Sequence, residues 1–225
     1  SLGELRQAEV SNYAQDSSLP PDHWFWNRDF SGGIMVEHGV HFFDVINSLT
    51  TQQVLRVNGV SSWRNPGQQD QVSATVQYDG GLIAQHYHSF SGPDFFEQTT
   101  IRLQFDLARV EINGWIPMSG SVTALVEGSC GVLFNTLPEW KLADVKALEH
   151  SDREQGISAA GIRYPVDHIL TGSFKLSATK SDIYGKCVQD ILADLIRLIE
   201  DESYSPRVTI QDAVASLTTA LKASE

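Results

Sequence analysis

Between residues 54 and 126 apolar and polar side chains alternate, in one short run after another. Successive side chains of a β-strand point to opposite faces, so this period of two predicts strands that each bury one face. The predicted strands are 54–63, 72–78, 82–90, 100–107, 109–113 and 121–126. Asp79-Gly80-Gly81 lies between two of them and predicts a tight hairpin, because glycine adopts positive φ without steric strain. Strands on such short connections predict an antiparallel sheet.

In the segments on either side of this region, apolar residues recur at i, i+3, i+4 and i+7, which predicts amphipathic helices. The amphipathic segments are 34–49, 183–199 and 210–221, and further strands are predicted at 4–10, 142–149 and 163–179. Ser31 and Ser181 are placed to cap the first two helices, and Thr209 with Asp212 to form a capping box on the third. The pattern predicts an α+β fold: an open, mostly antiparallel β-sheet with helices packed on one face.

The other face of the predicted sheet is polar. In residues 72–78 and 101–107 the positions between the apolar ones carry Ser, Thr, Gln, Arg and Asp. A polar sheet face meets either solvent or a second copy of itself, and the pattern leaves both interpretations open. A homo-oligomer that forms through the open sheet face is therefore one expectation.

The charge of the chain excludes several classes of partner. Lys and Arg number 16 against 28 Asp and Glu, a net charge of −12, and no basic cluster is present. Nucleic-acid phosphates and anionic membrane surfaces are bound through cations, so neither partner is expected. No apolar run approaches the ~20 residues of a membrane-spanning helix, and the first residues do not resemble a signal peptide. Cys130 and Cys187 match no zinc spacing and indicate a reducing compartment, so we expect a cytoplasmic protein.

The common glycine-rich motifs for nucleotide binding are missing from the sequence. Neither G-x-G-x-x-G nor G-x-x-x-x-G-K-[ST] occurs in the sequence. These glycine-rich turns hold phosphates on backbone amides at a helix N-terminus, so this chain is not expected to bind a nucleotide phosphate by itself. The abrupt opening at Ser1-Leu2 indicates that the sequence was cut from a longer protein.

The densest group of titratable side chains is on the first predicted helix. Glu37 and His41 are four residues apart and Asp44 follows three later, so all three project from one helical stripe. A carboxylate beside an imidazole stabilises the imidazolium and fixes its tautomer, which a general acid/base requires. An exposed ion pair of small energetic value fits the same spacing. The spacing leaves both interpretations open.

Two histidines on a predicted strand allow two further interpretations. His86 and His88 alternate with apolar residues on one strand face, which is typical of hydrogen-bonded core histidines. Together with His38 and His41 they also allow a metal-binding site, although their spacing resembles no zinc motif. His88 is kept as a candidate substrate contact, and no metal is expected.

The loop before the first helix carries aromatic and charged side chains. Trp24 and Trp26 fit either the core or the wall of a substrate pocket. Arg28 and Asp29 in the same loop fit either an ion pair with each other or contacts with a ligand. Trp26 and Arg28 are the candidate substrate-binding residues here.

These residues taken together resemble a known family. The stretch is Trp26…Asp29-Phe30-Ser31-Gly32-Gly33…Glu37-His38-Gly39-Val40-His41-Phe42-Phe43-Asp44. It resembles the S-G-G…D-x-G-x-H-x-x-D segment of the glucose–fructose oxidoreductase/inositol dehydrogenase (Gfo/Idh/MocA) family, at the first helix of the C-terminal domain. Residues 3–6, 78–81 and 184–220 resemble other parts of that domain, so the resemblance covers nearly the whole chain.

The resemblance implies a two-domain protein. An N-terminal Rossmann domain would hold NAD or NADP and carry a catalytic lysine in an E-K-P segment, neither of which is in this chain. Residues 1–225 would then be a single substrate-binding and oligomerisation domain. The fragment alone is therefore expected to be inactive.

The resemblance also assigns roles by position. His41 corresponds to the histidine that exchanges a proton with the substrate hydroxyl during hydride transfer. Glu37 stands where the family usually has Asp, and Asp44 matches an aspartate that contacts substrate or holds the helix. The implied reaction oxidises a CH–OH group of a sugar or polyol, or reduces the ketone. The Glu-for-Asp exchange leaves open a non-catalytic sugar-binding or assembly module of the same fold.

Overall fold

The alternating segments form one sheet of nine strands. The computed structural model describes residues 2–128, 134–149, 156–201 and 203–225, so the prediction for Cys130 lies outside the described residues. Its strands are β1 Leu5–Gln15, β2 Val54–Asn65, β3 Gln68–Tyr78, β4 Ile83–Gly92, β5 Gln98–Phe105, β6 Ala108–Asn113, β7 Ser119–Val126, β8 Trp140–Ala147 and β11 His168–Lys175. The short strands β9 Ile157–Ala159 and β10 Ile162–Tyr164 form a separate pair.

The first strand lies inside the sheet rather than at its edge. The strand order is β2-β3-β4-β1-β5-β6-β7-β11-β8, with β1 parallel to β4 and antiparallel to β5. All other neighbours in this sheet are antiparallel. The predicted α+β fold with an open, mostly antiparallel sheet is confirmed, although β1 separates β4 from β5 in the sheet. Ala8 and Val10 of β1 are fully buried, so the central position places the most apolar part of that strand in the core.

The helices are α1 Arg28–Ser31, a π-helical turn Met35–Gly39 that continues into α2 Val40–Ser48, α3 Lys180–Glu200 and α4 Ile210–Ala223. Two of them, α2 and α4, pack together on one face of the sheet, whereas α3 has no buried side chain. The contacts of α4 with the sheet are to β2 and β3. The capping box of Thr209 and Asp212 is confirmed, whereas α3 is capped by Thr179 with Asp182 and not by Ser181. Across the described ranges, no helix is long and apolar enough to cross a membrane.

Ser31 also has a different role from the predicted one. It ends α1, and the two glycines after it have positive φ, +75° at Gly32 and +90° at Gly33. The Ser31 hydroxyl accepts a hydrogen bond from the Gly33 amide (3.0 Å). The Ile34 amide instead donates to Gln69 Oε1 on β3 (3.1 Å), so the start of the helical segment is attached to the sheet by a side chain from a distant strand.

The larger core lies between the helices and the strands β1 to β5. α2 contributes Phe42, Phe43 and Ile46, all almost completely buried. Burying a side chain of this size stabilises the fold by about 1.5–3 kcal/mol relative to exposure. A second cluster, around Ala124 and Leu170, lies under the other half of the sheet.

A buried carboxylate joins three separate parts of the chain. Asp106, in the β5–β6 turn, has a side chain only 1% exposed and pairs with Arg6 through two hydrogen bonds of 2.8 and 3.2 Å. It also accepts the Glu4 amide (2.8 Å) and the Tyr164 hydroxyl (3.1 Å). The hydrogen bonds from Arg6 lower the pKa of Asp106, with further contributions from Glu4 and Tyr164 that outweigh the opposing effect of burial.

Replacing this carboxylate is expected to destabilise the domain. In Asp106→Asn the charge and part of the acceptor capacity are lost while Arg6 stays in place, so we expect about 2 kcal/mol lower stability. For a domain of this size that corresponds to a fall of about 4–8 °C in Tm, measurable by calorimetry. Asp144→Asn is the control, because Asp144 pairs with Lys146 at an exposed site. An equal effect of both variants would contradict the structural role of Asp106.

Candidate active site

Glu37 and His41 lie where the π-helical turn passes into α2. Glu37 is inside the turn and half-buried, and His41 is in the first turn of α2 and exposed. A π-helical turn holds one more residue per hydrogen-bonded ring than an α-helix and is common at functional sites. The two side chains predicted to carry proton transfer are therefore on an irregular helical segment, with the imidazole accessible to a ligand.

The electrostatics of the pair follow from this partial burial. Burial raises the pKa of Glu37 above its ordinary value, and the positive charges of His41 and His23 offset part of that increase. A carboxyl group with a raised pKa holds its proton closer to the pH range in which an imidazole titrates. The charge of His41 thus acts on a carboxyl group that is more readily protonated than an exposed glutamate.

His23 is a third titratable side chain in the group of Glu37 and His41, and no pattern in the sequence identifies it. It precedes the 3-10 turn Trp24–Trp26 and caps it, with Nδ1 accepting from the Phe25 amide (3.3 Å). Its charge acts on Glu37, which is fourteen positions later in the sequence. No periodic pattern relates a loop residue to a helix residue, so only the folded loop reveals the relation.

An open cavity of about 480 Å³ lies beside this loop, against the β2–β3 hairpin. Its lining includes Asp22, His23, Trp26, Arg28, Asp29 and Trp63. Carboxylates, a guanidinium and indole rings together suit a ligand with hydroxyl groups and an apolar face. The cavity shares His23 with the group around Glu37.

Trp26 and Arg28, the two candidate substrate-binding residues that line this cavity, differ in how firmly their side chains are held. Trp26 is only 5% exposed; its indole N–H donates to the Pro20 carbonyl (3.1 Å), and the Arg64 guanidinium lies 4.9 Å from its ring centre. Arg28 is exposed, lies 5.9 Å from the Trp63 ring centre and donates to the Ser224 carbonyl (3.3 Å). Trp26 is thus a fixed wall, while Arg28 can reorient toward a ligand.

Asp44 and His88, the other two candidate substrate-binding residues, do not line this cavity. Asp44 accepts a hydrogen bond from the Ser216 hydroxyl on α4 (3.0 Å), which corresponds to holding the helix. His88 on β4 is 0% exposed and packs against Phe42 of α2, among core side chains. The structure therefore places His23 of the cavity close enough to Glu37 for their charges to interact, whereas His88 lies in the core.

The possible metal site was composed of His38, His41, His86 and His88. His38, His86 and His88 lie near one another, while His41 is on the exposed side of the helix. Within the described residues, no three or more His, Cys, Asp or Glu side chains are arranged to hold a metal ion.

Known proteins resemble this chain in sequence and in fold. Residues 1–111 match the model of the GFO/IDH/MocA C-terminal domain family. Over this segment the chain belongs to the Gfo/Idh/MocA family. This matched segment contains β1, the helical segment with Glu37 and His41, and the strands through most of β6. No protein of curated function matches the sequence.

Solved structures share the fold of this family member over almost its whole length. UDP-N-acetylglucosamine 3-dehydrogenase GnnA from Acidithiobacillus ferrooxidans is 11% identical with a TM-score of 0.60, over 99% of this chain and 54% of its own. Biliverdin reductase from Synechocystis, solved with biliverdin and NADP+, is 13% identical (TM-score 0.59, 99% and 54%). An NAD-binding protein from Listeria innocua is 15% identical (TM-score 0.59, 98% and 52%). The chain spans about half the length of these proteins.

Proposed function

We propose that this chain is the substrate-binding and oligomerisation domain of an NAD(P)-dependent oxidoreductase that acts on a CH–OH group of a sugar or polyol. The observation that carries the proposal is the exposed imidazole of His41 acting on Glu37, a carboxyl group of raised pKa that also interacts with His23, and His23 lines a cavity with indoles and charged side chains. The family membership supports oxidoreductase chemistry. The sugar nucleotide in the name of the GnnA neighbour supports the substrate class.

In this proposal the residues of the chain bind the substrate and move its proton. His41 accepts the hydroxyl proton as the carbinol carbon loses hydride, and Glu37 stabilises the imidazolium that results. The nicotinamide, when bound, supplies the hydride acceptor at C4. Trp26 provides a fixed apolar wall and Arg28 a mobile donor, while Asp44 holds α2 to α4 through Ser216.

We place the coenzyme mainly on a separate Rossmann domain, because no glycine-rich phosphate motif occurs in this chain. The surface of α3 supports a second domain. This helix of 21 residues has no buried side chain. Its apolar residues and the segment 206–211 line a groove of about 640 Å³. Uncovered apolar surface of this extent marks an interaction site.

The open sheet face is the proposed oligomer interface. Arg102 on β5 bridges Glu9 on β1 (3.0 Å) and Glu111 on β6 (2.9 Å) across this face. The same face lines a shallow depression with Gln7 and Thr123. A surface with interspersed donors and acceptors can pair with its own copy around a two-fold axis.

The proposal is tested by turnover of the full-length protein that contains this chain. With a panel of sugars and polyols, absorbance at the reduced-nicotinamide band should rise for at least one substrate with NAD+ or NADP+. A protein that binds sugars, by calorimetry, but gives no turnover with any of them would be the non-catalytic module instead.

The isolated chain provides a separate prediction. Because we place the coenzyme phosphates on another domain, residues 1–225 alone should show no turnover and little affinity for NAD+ or NADP+. Calorimetric titration of the fragment with each coenzyme measures this. Tight binding by the fragment would show that the coenzyme site lies within the chain and would contradict the proposed division of labour.

A further inference from the structure

Three histidine rings lie together beneath the helical segment that carries Glu37 and His41. His38 comes from the π-helical turn, and His86 and His88 come from the same face of β4. The His38 and His88 ring centres are 5.4 Å apart, and those of His86 and His88 are 6.2 Å apart. His86 is 1% exposed, so this histidine cluster is part of the contact between helix and sheet.

The surroundings of the cluster are apolar. Phe43 lies 4.4 Å from the His86 ring centre, and Phe90 lies 5.1 Å from that of His38. Both ring nitrogens of His86 and of His88, and Nε2 of His38, are buried without a hydrogen-bond partner. A neutral imidazole in such a site loses hydrogen bonds to water, and a charged one would lose far more hydration.

The charges that act on the cluster come from other histidines. His41 acts on His38, and His38 and His86 act on His88. The carboxylates on the surrounding elements are engaged elsewhere, Glu37 with His23 and His41, Asp44 with Ser216, and Asp70 with Arg64. Among the described residues, no acidic group is therefore positioned to compensate an imidazolium in the cluster.

Burial accordingly favours the neutral rings. It lowers the pKa of His38 to about 4 and that of His86 to about 3, and it lowers the pKa of His88 well below its ordinary value of 6.5. When folded-state pKa values are depressed, the unfolded chain binds more protons below pH 6.5, so stability is present above that pH and falls as the pH decreases. Each ring contributes about one proton taken up on unfolding near pH 5.

We propose that His38, His86 and His88 form an acid-sensitive latch that holds the helical segment of Glu37 and His41 onto the sheet and releases it when the cluster becomes protonated. The neutral rings pack as aromatic side chains between α2 and β4. Opening the segment exposes them to water, where they accept protons. This inference concerns the helix contact and does not depend on the proposed oxidoreductase activity.

Local opening is measured by amide hydrogen exchange of the chain. Between about pH 7.5 and pH 5, protection factors in residues 34–48 should fall by roughly tenfold or more relative to those in β7 and β11, because opening takes up protons. If protection falls by the same factor in all elements, the histidines affect only global unfolding. An unchanged ratio of the protection factors in residues 34–48 to those in β7 and β11 would therefore overturn the latch, whether all of them fall or none does.

Variants of the cluster separate the histidines from other acid-sensitive groups. In His86→Leu and His88→Leu, proton uptake on unfolding near pH 5 should fall by about one proton each. Val45→Gln is the matched control, because Val45 is exposed on the same segment and carries no titratable group, and it should retain the wild-type proton uptake and the wild-type ratio of protection factors. Wild-type uptake in both leucine variants would overturn the proposal.

Poor folding of the leucine variants would leave a test on the unmodified chain. In the folded protein the imidazole resonances of His38 and His86 should not titrate above about pH 5, and those of His88 should titrate well below pH 6.5, the ordinary midpoint of an exposed histidine. A midpoint near 6.5 for any of the three would overturn the latch.

Discussion

If the proposed function is correct, replacing His41 with alanine in the full-length protein is expected to lower kcat by about 10²- to 10⁴-fold, the range that positioned proton transfer contributes. The imidazole is exposed on the first turn of α2, beside Glu37 and open to a bound ligand. Its removal leaves the substrate hydroxyl without a base while the helix and cavity stay in place. Binding of the nicotinamide coenzyme should hardly change, because we place its phosphates on another domain.

The measurement is steady-state turnover combined with coenzyme titration. His168→Gln on β11 is the matched control, since that histidine pairs with Asp167 in the other half of the sheet, and it should retain turnover. Glu37→Gln should lower kcat less than His41→Ala and shift the pH profile, because the charge that stabilises the imidazolium is lost. Unaltered turnover in His41→Ala would exclude His41 as the acid or base.

The architecture could be predicted because it depends on local patterns. The period of two identified most of the strands, and Gly81, with φ +95°, forms the predicted hairpin after Tyr78. The position of β1 could not be predicted this way, since Ala8 and Val10 are equally apolar at an edge or in the centre of a sheet. Its parallel pairing with β4 depends on contacts between residues more than 70 positions apart.

The candidate site was predictable only as far as it lies on one segment. Glu37 and His41 were identified from their spacing, but the π-helical turn that contains Glu37 follows an Ile34 amide bound by Gln69 of a distant strand, and no local pattern predicts that contact. His23 reaches Glu37 from a loop, and no sequence period describes that relation. His88 was ambiguous for a different reason, because alternation places it on a buried face but does not identify what covers it.

The C-terminal end of α4 approaches the sheet at a single glycine of β2. A Cβ atom at Gly59 would lie 1.9 Å from the Ala223 carbonyl oxygen and 2.7 Å from its carbon. Both are backbone atoms at the end of α4, where Ala220 and Ala223 are buried, so neither can rotate away. The helix rests on the strand at this point because residue 59 has no side chain.

Gly59→Ala is therefore expected to displace α4. Such overpacking costs about 3 kcal/mol, at the upper end of the usual range, because the contact is with backbone rather than a flexible side chain. In a domain of this size the loss corresponds to about 6–12 °C in Tm, measured by calorimetry. Since Ser216 of α4 holds Asp44, kcat of the full-length enzyme should also fall.

Gly67→Ala in the β2–β3 hairpin is the matched control for this change. A Cβ atom there meets only Asn65 Oδ1, at 3.7 Å, which is ordinary van der Waals distance. If both alanine variants lose the same stability, the effect arises from glycine flexibility in the unfolded chain and not from the contact with Ala223. If Gly59→Ala alone is destabilised yet keeps full turnover, then α4 supports the fold without positioning α2, and the helix that carries His41 is held by the sheet instead.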